Sequence, residues 1–392
     1  MYFSLAVRIG TEVNARAHSV YGDEKTKKLV QVEQGMLEGV VSVTDTGVKI
    51  ATFASVPYAK PPIGKLRFKE AEESSSGQST SSRRRGNMDQ QMGFRPPSLM
   101  NACGLPQAPE LPEKWEDVRP ADSTFNMCIQ LEGGSEDCLY LNIVTPQGMG
   151  DNLSVIFWIH GGAFFMGSAS LEFYNLDDFA KQGVVMVSAN YRLSALGFLS
   201  VNGTDVTPNA GLKDQVAALR WVQRNIASFG GNPNDVTIFG ESAGSASVQH
   251  LITSPMAKGL FSKAIMMSGS ACSSWAFVEP NTQNAFLLGE SLGKKTSDPH
   301  ELVEFLRTVP AQDIIDKVMD QWYAIKDEKH LKSINVQTIK YLPTLEYPVR
   351  VGDSFEEVFL PDRPATILEQ GNFNKVPQII GMNSLEAALL TI

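Results

Sequence analysis

A serine between two glycines, at the junction of a strand pattern and a helix pattern, constrains the fold of this chain most. The run Val236-Thr237-Ile238-Phe239 is β-branched and aromatic, which predicts a short buried strand. Gly240-Glu241-Ser242-Ala243-Gly244 follows it, and residues 245–251 indicate the opening of a helix. A strained turn of this kind lifts a serine hydroxyl above a parallel sheet, and its glycines allow the strand and helix to approach closely. The alternative is an ordinary glycine-rich turn.

A second glycine pair follows an earlier strand pattern. The continuous apolar run Val155-Ile156-Phe157-Trp158-Ile159 predicts a central parallel strand, and it ends in His160-Gly161-Gly162-Ala163-Phe164. The backbone N–H groups of Gly161, Gly162 and Ala243 are therefore candidate donors to a developing oxyanion. A glycine pair after a strand can also be only a turn.

Strand and helix patterns alternate along the middle of the chain. Residues 184–187 predict another buried strand, and residues 212–229 predict a helix that glycines 230 and 231 terminate. The apolar stripe of this helix consists of Leu212, Val216, Leu219, Val222, Ile226 and Phe229. The alternation predicts an α/β fold with a mostly parallel central sheet and helices on both faces. Residues 280–345 are mostly helical in pattern.

Several long segments resemble type B carboxylesterases of the carboxylesterase/cholinesterase family. They are residues 53–68, 135–143, 190–193, 214–215, 220–222 and 229–244, which occur in the family's order. The resemblance implies a single α/β-hydrolase domain over residues 1–392 and the hydrolysis of carboxylic esters through an acyl-enzyme. It also implies that Ser242 is the nucleophile.

The acidic partner implied by the resemblance is Glu386. It lies in Gly381-Met382-Asn383-Ser384-Leu385-Glu386, directly after the apolar run of residues 376–380. This places Glu386 beyond the carboxyl end of a strand, where open α/β sheets carry their sites. Ala387 stands where the family usually has glycine.

A histidine is expected after the acid in this fold, and none follows Glu386. The chain has five histidines: His18, His160, His250, His300 and His330. His160 belongs to the oxyanion strand end and His250 points away from the serine. His300 sits in a turn, and the other two lie in polar surroundings.

The missing histidine leads to the expectation that the chain is incomplete at its C-terminus. The family's last strands and histidine loop would be absent, and this chain would be inactive or impaired. Two explanations remain open at this point. The chain is an incomplete copy of a working esterase, or it is a shorter, non-catalytic adhesion or binding member of the same fold.

The chain has four cysteines, and their positions lead to predictions about its loops. The resemblance implies a disulfide between Cys128 and Cys138, whereas Cys272 is expected to be a packed thiol. Cys103 falls in a low-complexity insert, residues 72–112, which is predicted to be disordered. The loop from Cys128 to Cys138 contains no aromatic residue to stack on a choline cation, so a neutral, apolar ester is the expected substrate.

Charge and composition exclude some classes of binding partner. A net charge of −9 argues against nucleic acid, and no run reaches the 18 or so apolar residues of a membrane span. No metal cluster or phosphate-binding loop is evident, so neither a metal nor a cofactor is expected. The first residues show no evident signal peptide, which leaves secreted and cytoplasmic locations open. The oligomeric state is not indicated.

Overall fold

The computed structural model describes residues 26–69, 112–122, 127–323, 341–347, 350–351, 354–355 and 358–386. The predicted insert lies outside the described residues, except for its last position. His18, Cys103 and His330 also lie outside them.

Within the described residues, ten strands form a mixed central sheet in the order β1-β2-β3-β5-β7-β6-β8-β9-β12, with β4 paired to β2. Its strands are β1 (Thr26–Val32), β2 (Gly35–Val43), β3 (Lys49–Pro57), β4 (Arg119–Pro120), β5 (Tyr140–Pro146), β6 (Leu153–Ile159), β7 (Val185–Ala189), β8 (Gly231–Glu241), β9 (Lys263–Met267) and β12 (Gln378–Gly381). A separate two-stranded ribbon consists of β10 (Arg350–Val351) and β11 (Ser354–Phe355).

Five neighbouring strands of the sheet are mutually parallel: β7, β6, β8, β9 and β12. The other neighbours along this order, β1 with β2, β2 with β3, β3 with β5 and β5 with β7, pair antiparallel. The predicted parallel sheet is thus confirmed for the half of the sheet that carries the serine. Short connections join β1 to β2 and β2 to β3, which suits antiparallel pairing, whereas parallel neighbours need long crossovers.

The described helices are α1 (Asp177–Ala180), α2 (Ser194–Phe198), α3 (Ala210–Asn225), α4 (Ala243–Thr253), α5 (Gln283–Ser291), α6 (Pro299–Thr308), α7 (Ala311–Tyr323) and α8 (Pro364–Glu369). The predicted helix over 212–229 is α3 continued by a 3-10 turn, Ile226–Phe229, which Gly230 ends at a φ of 83°. Helices α5 to α7 confirm the helical pattern predicted after residue 280, and residues 324–340 of that stretch lie outside the description.

The two faces of the sheet are covered differently. On one face the large core packs α3 and α4 against Phe157, Ile238 and Met266. On the other face a small cluster joins α1 to Val144 and Met186. Helices therefore lie on both faces, as predicted. None of the described helices combines the length and the apolar character that crossing a membrane requires.

Candidate active site

Ser242 occupies a strained turn between β8 and α4. Its φ is 56° and its ψ is −120°, a conformation that residues other than glycine rarely adopt. Ser242 N–H donates to the carbonyl of Met267 at 2.9 Å, which fixes the turn to the end of β9. The hydroxyl makes no capping hydrogen bond to α4, and the residue is only partly buried. The residue is therefore not sealed in the core.

The flanking glycines are required by close contacts. A methyl group on Gly240 would lie 2.4 Å from the carbonyl carbon of Gly244, and one on Gly244 would lie 2.1 Å from the carbonyl oxygen of Ile159. Real side chains do not tolerate either distance. The prediction that strand and helix approach closely at both glycines is confirmed.

The loop after β6 lies directly beside the serine. A methyl group on Gly161 would lie 3.2 Å from Ser242 Cβ. Gly162 has a φ of 112° and Ala163 a φ of 52°, so successive peptides turn in a tight curve. Within the ranges that the structure describes, the N–H groups of Gly161, Gly162 and Ala163 donate to no acceptor. Such unpaired donors are suited to bind an anionic oxygen.

Two further N–H groups bear on this loop. Ala243 is the first residue of α4, where the N–H has no partner within the helix. The N–H of Ala163 was not among the predicted donors, and it lies one residue beyond the glycine pair. The sequence did not indicate this donor, because L residues such as alanine rarely adopt a positive φ and nothing in the residue type predicts one.

Glu386 and Ser242 both lie at the carboxyl end of the parallel strands. Glu386 follows β12, which pairs with β9, which in turn pairs with β8. Ser268 N–H donates to the carbonyl of Gly381 at 2.8 Å and joins the ends of β9 and β12. One oxygen of the Glu386 carboxylate accepts from Asn383 N–H at 2.6 Å. The strand pairing thus places two residues that are far apart in the chain at the same end of the sheet.

Glu241, the residue before Ser242, is a second carboxylate, and its charge interacts with that of Glu386. Loss of solvent around Glu241 and the nearby charge of Glu386 both raise the pKa of the Glu241 carboxyl. Burial, with the charge of Glu241 as a smaller cause, raises the pKa of Tyr174 in turn. The candidate site is therefore acidic, and a group that becomes positive there gains electrostatic stabilisation.

None of the three described histidines faces Ser242 as a base. His160 contacts the carbonyl of Gly161 through Nδ1 at 2.8 Å, and His250 contacts the carbonyl of Ala276 through Nε2 at 2.9 Å. Burial lowers the pKa of each to about 4, so both are neutral at physiological pH. His300 was expected in a turn, which is wrong: it lies in the first turn of α6, where Asp298 caps the helix by accepting from His300 N–H.

The predicted disulfide is present, and its loop contacts the loop that follows β6. Cys128 and Cys138 are bonded, with their Cα atoms 4.9 Å apart. The side-chain amide of Gln130, inside this loop, donates to the carbonyl of Gly167 and accepts from its N–H, each at 3.0 Å. The expectation that Cys272 is a packed thiol is wrong, since Cys272 is free and exposed on the connection after β9.

Among the described residues, no cluster of histidine, cysteine, aspartate and glutamate is arranged to hold a metal ion. The candidate site consists of a serine, two carboxylates and backbone donors.

Comparison with known proteins shows the family to which the chain belongs. The profile described as "Carboxylesterase family" matches residues 26–96 and 107–392. The chain therefore belongs to the carboxylesterase family. The unmatched residues 97–106 fall inside the predicted insert, whose disorder remains a prediction.

Individual relatives agree with this assignment. The chain is 37% identical over 357 residues to an acylcarnitine hydrolase of Mus musculus, covering 90% of this chain and 55% of that protein. It is 34% identical over 380 residues to a para-nitrobenzyl esterase of Bacillus subtilis, with 93% and 64% covered. It is also 34% identical over 382 residues to an acetylcholinesterase of Danio rerio, with 95% and 53% covered. The chain thus spans between about half and two thirds of the length of these relatives.

A solved structure shows the same fold. Juvenile hormone esterase from Manduca sexta, with OTFP covalently attached, superimposes with a TM-score of 0.75 at 28% identity, covering 93% of this chain and 63% of that one. The α/β-hydrolase fold expected from the sequence is confirmed.

Proposed function

We propose that this chain carries the nucleophile, the acid and the oxyanion-binding groups of a serine hydrolase that cleaves carboxylic esters. The observation that carries the proposal is the partly buried Ser242, held at a positive φ beside a loop whose N–H groups have no other described acceptor. Family membership supports ester hydrolysis as the reaction class.

In this mechanism Ser242 Oγ attacks the ester carbonyl carbon and gives its proton to a base. The carbonyl oxygen becomes an oxyanion, which accepts hydrogen bonds from Gly161, Gly162 and Ala243, with Ala163 as a further candidate. The alcohol leaves with the proton, and an acyl-enzyme remains. Water then attacks the acyl group by the same route and releases the acid.

The base is proposed to be a histidine that Glu386 orients and whose positive form the carboxylate stabilises. Because the rings of His160 and His250 are hydrogen-bonded elsewhere and His300 is exposed in the first turn of α6, we place this histidine outside the described residues. Without a base a serine hydroxyl is a weak nucleophile, and removing the base in a comparable protease costs on the order of 10⁶ in turnover. The activity of this chain therefore depends on that histidine, and its impairment remains a prediction.

Covalent labelling with a fluorophosphonate tests the proposal. We expect the probe to attach to Ser242, identified by mass spectrometry, and to be lost in Ser242→Ala. Cys272→Ala, which removes an exposed nucleophile on the connection after β9, serves as the matched control and should retain the label. The reaction is run with and without added imidazole, which can replace a missing base.

The outcome of the imidazole arm locates the base. Labelling without imidazole places the base within this chain, and labelling that needs imidazole places it outside. A folded chain that is not labelled at Ser242 under either condition contradicts the proposal and favours the non-catalytic binding protein.

For the substrate we propose a neutral, apolar ester. The loop from Cys128 to Cys138 contacts Gly167, in the loop that follows β6, through Gln130. It contains Leu131 but no aromatic ring. A choline head group would therefore lose a cation–π contact there, worth roughly 0.5–2 kcal/mol. Turnover of an uncharged alcohol's acetate, compared with acetylcholine under the same conditions, tests this choice, and a preference for acetylcholine would contradict it.

A further inference from the structure

His160, the first residue after β6, is buried, although the proposed mechanism gives it no role. Only 1% of its surface is exposed, and its ring stacks on Tyr191 with the ring centres 4.4 Å apart and the planes 19° apart. The Tyr191 hydroxyl donates to the carbonyl of His160 at 3.0 Å. Both the ring and the backbone of His160 are thus fixed by one neighbouring side chain.

The hydrogen bond from His160 to Gly161 determines the tautomer of the ring. Nδ1 lies 2.8 Å from the carbonyl oxygen of Gly161, and a carbonyl oxygen can only accept. Nδ1 must therefore carry the proton. A methyl group on Gly167 would lie 2.6 Å from Nδ1 and 2.5 Å from the same carbonyl oxygen, so Gly167 packs closely against both atoms of this bond.

This bond also orients the next N–H group. The peptide that joins Gly161 and Gly162 is planar and trans, so its C=O and N–H point in opposite directions. Holding the C=O against the His160 ring turns the Gly162 N–H away from that ring. The Gly162 N–H is one of the donors that find no acceptor within the described ranges.

We propose that His160 is a positioning residue that sets the direction of the Gly162 N–H by holding the Gly161 carbonyl through its Nδ1–H. The inference rests on the proposed function, because the oriented N–H serves the oxyanion of the Ser242 reaction. His160 itself touches neither the substrate nor the reacting atoms.

Three substitutions separate this role from simple packing. His160→Asn keeps an amide donor near the position of Nδ1, whereas His160→Gln moves the donor farther along the side chain. His160→Phe keeps a flat ring against Tyr191 and has no donor. Thermal unfolding of all three establishes which variants are folded, and the Asn and Gln pair suffices if the Phe variant is not.

The first readout is the rate of fluorophosphonate labelling at Ser242, resolved into probe binding and bond formation. Losing one oxyanion donor costs about 10²–10³ in rate, so misdirecting it should slow bond formation roughly tenfold or more in His160→Gln and His160→Phe. Probe binding should change little, and His160→Asn should recover most of the rate. Equal rates in Asn and Gln variants would overturn the inference.

The second readout does not depend on reactivity. Crystal structures of the variants should show the Gly161 carbonyl in its original direction in His160→Asn and rotated in His160→Gln. If Ser242 is never labelled but the carbonyl rotates, the proposed function fails while the positioning role stands. An unchanged carbonyl direction in a folded Gln or Phe variant refutes the positioning role whatever the reactivity.

Discussion

At the scale of single residues, the acidic pair beside Ser242 sets a pH dependence. The pKa of Glu241 is raised by loss of solvent and by the charge of Glu386, so the folded chain binds this proton more tightly than the unfolded chain. The stabilisation is complete below the unfolded pKa and is lost as the pH rises through the folded pKa. At neutral pH the ionised Glu241 therefore works against folding.

Glu241→Gln removes this charge and should raise the melting temperature at about pH 7, with the gain disappearing near about pH 3, where the carboxyl is protonated in both states. Glu301→Gln is the control of opposite sign, because a hydrogen bond from Lys294 lowers the pKa of Glu301. Melting curves across this pH range check both. A Glu241→Gln variant less stable at neutral pH than at acid pH, relative to the unmutated chain, would contradict the assignment.

At the scale of secondary-structure elements, a buried ion pair joins the end of β7 to α3. Arg192 Nη2 contacts Asp214 Oδ1 at 2.6 Å, and both side chains are almost completely buried. The Asp214 carboxylate also accepts from the N–H and Nε of Arg192. The carboxylate thereby fixes the connection that follows a central strand onto the helix that covers it.

Asp214→Ala should lower the free energy of unfolding by about 3–5 kcal/mol, because it leaves the guanidinium buried without its partner. Lys295→Ala, which breaks an exposed pair with Glu290, should cost less than about 1 kcal/mol. Urea unfolding measures both. Similar losses in the two variants would show that the buried pair does not carry this stability.

At the scale of the whole molecule, the edge of the sheet at β12 presents an apolar surface. Ile379 and Ile380 are 65% and 68% exposed, and Met382 and Leu385 are 76% and 78% exposed. The register aligns Trp158, Phe239, Ile265 and Ile379 on one face, so the apolar row runs from the buried centre of the sheet to this edge. Exposed apolar surface of this kind binds hydrophobic dyes and promotes association.

The double substitution of Ile379 and Ile380 to threonine should reduce the fluorescence of a bound hydrophobic dye while keeping β-branched side chains in the strand. Val43→Thr, at an exposed valine on β2, is the matched control and should leave the dye signal unchanged. A chain that binds no dye before substitution would show that this edge is covered in solution.

The sequence by itself determined the local elements of this protein. The alternation of apolar residues and the glycines around Ser242 specified β6, β8, α3 and α4, because periodicity and backbone sterics act between residues that are close along the chain. Motif resemblance added the family and the pairing of Cys128 with Cys138. The base of the reaction could not be assigned, since none of the described histidines faces the serine.

Only the tertiary structure decided the order of the strands and the contacts that this order creates. Placing β12 beside β9, and β9 beside β8, brings Glu386 near Glu241 and couples their charges. Packing between other distant segments stacks the ring of His160 on Tyr191, and the tertiary structure leaves Cys272 exposed. These features depend on contacts between residues that are distant in sequence, and such contacts are selected by how crossovers pack against the sheet rather than by any local pattern.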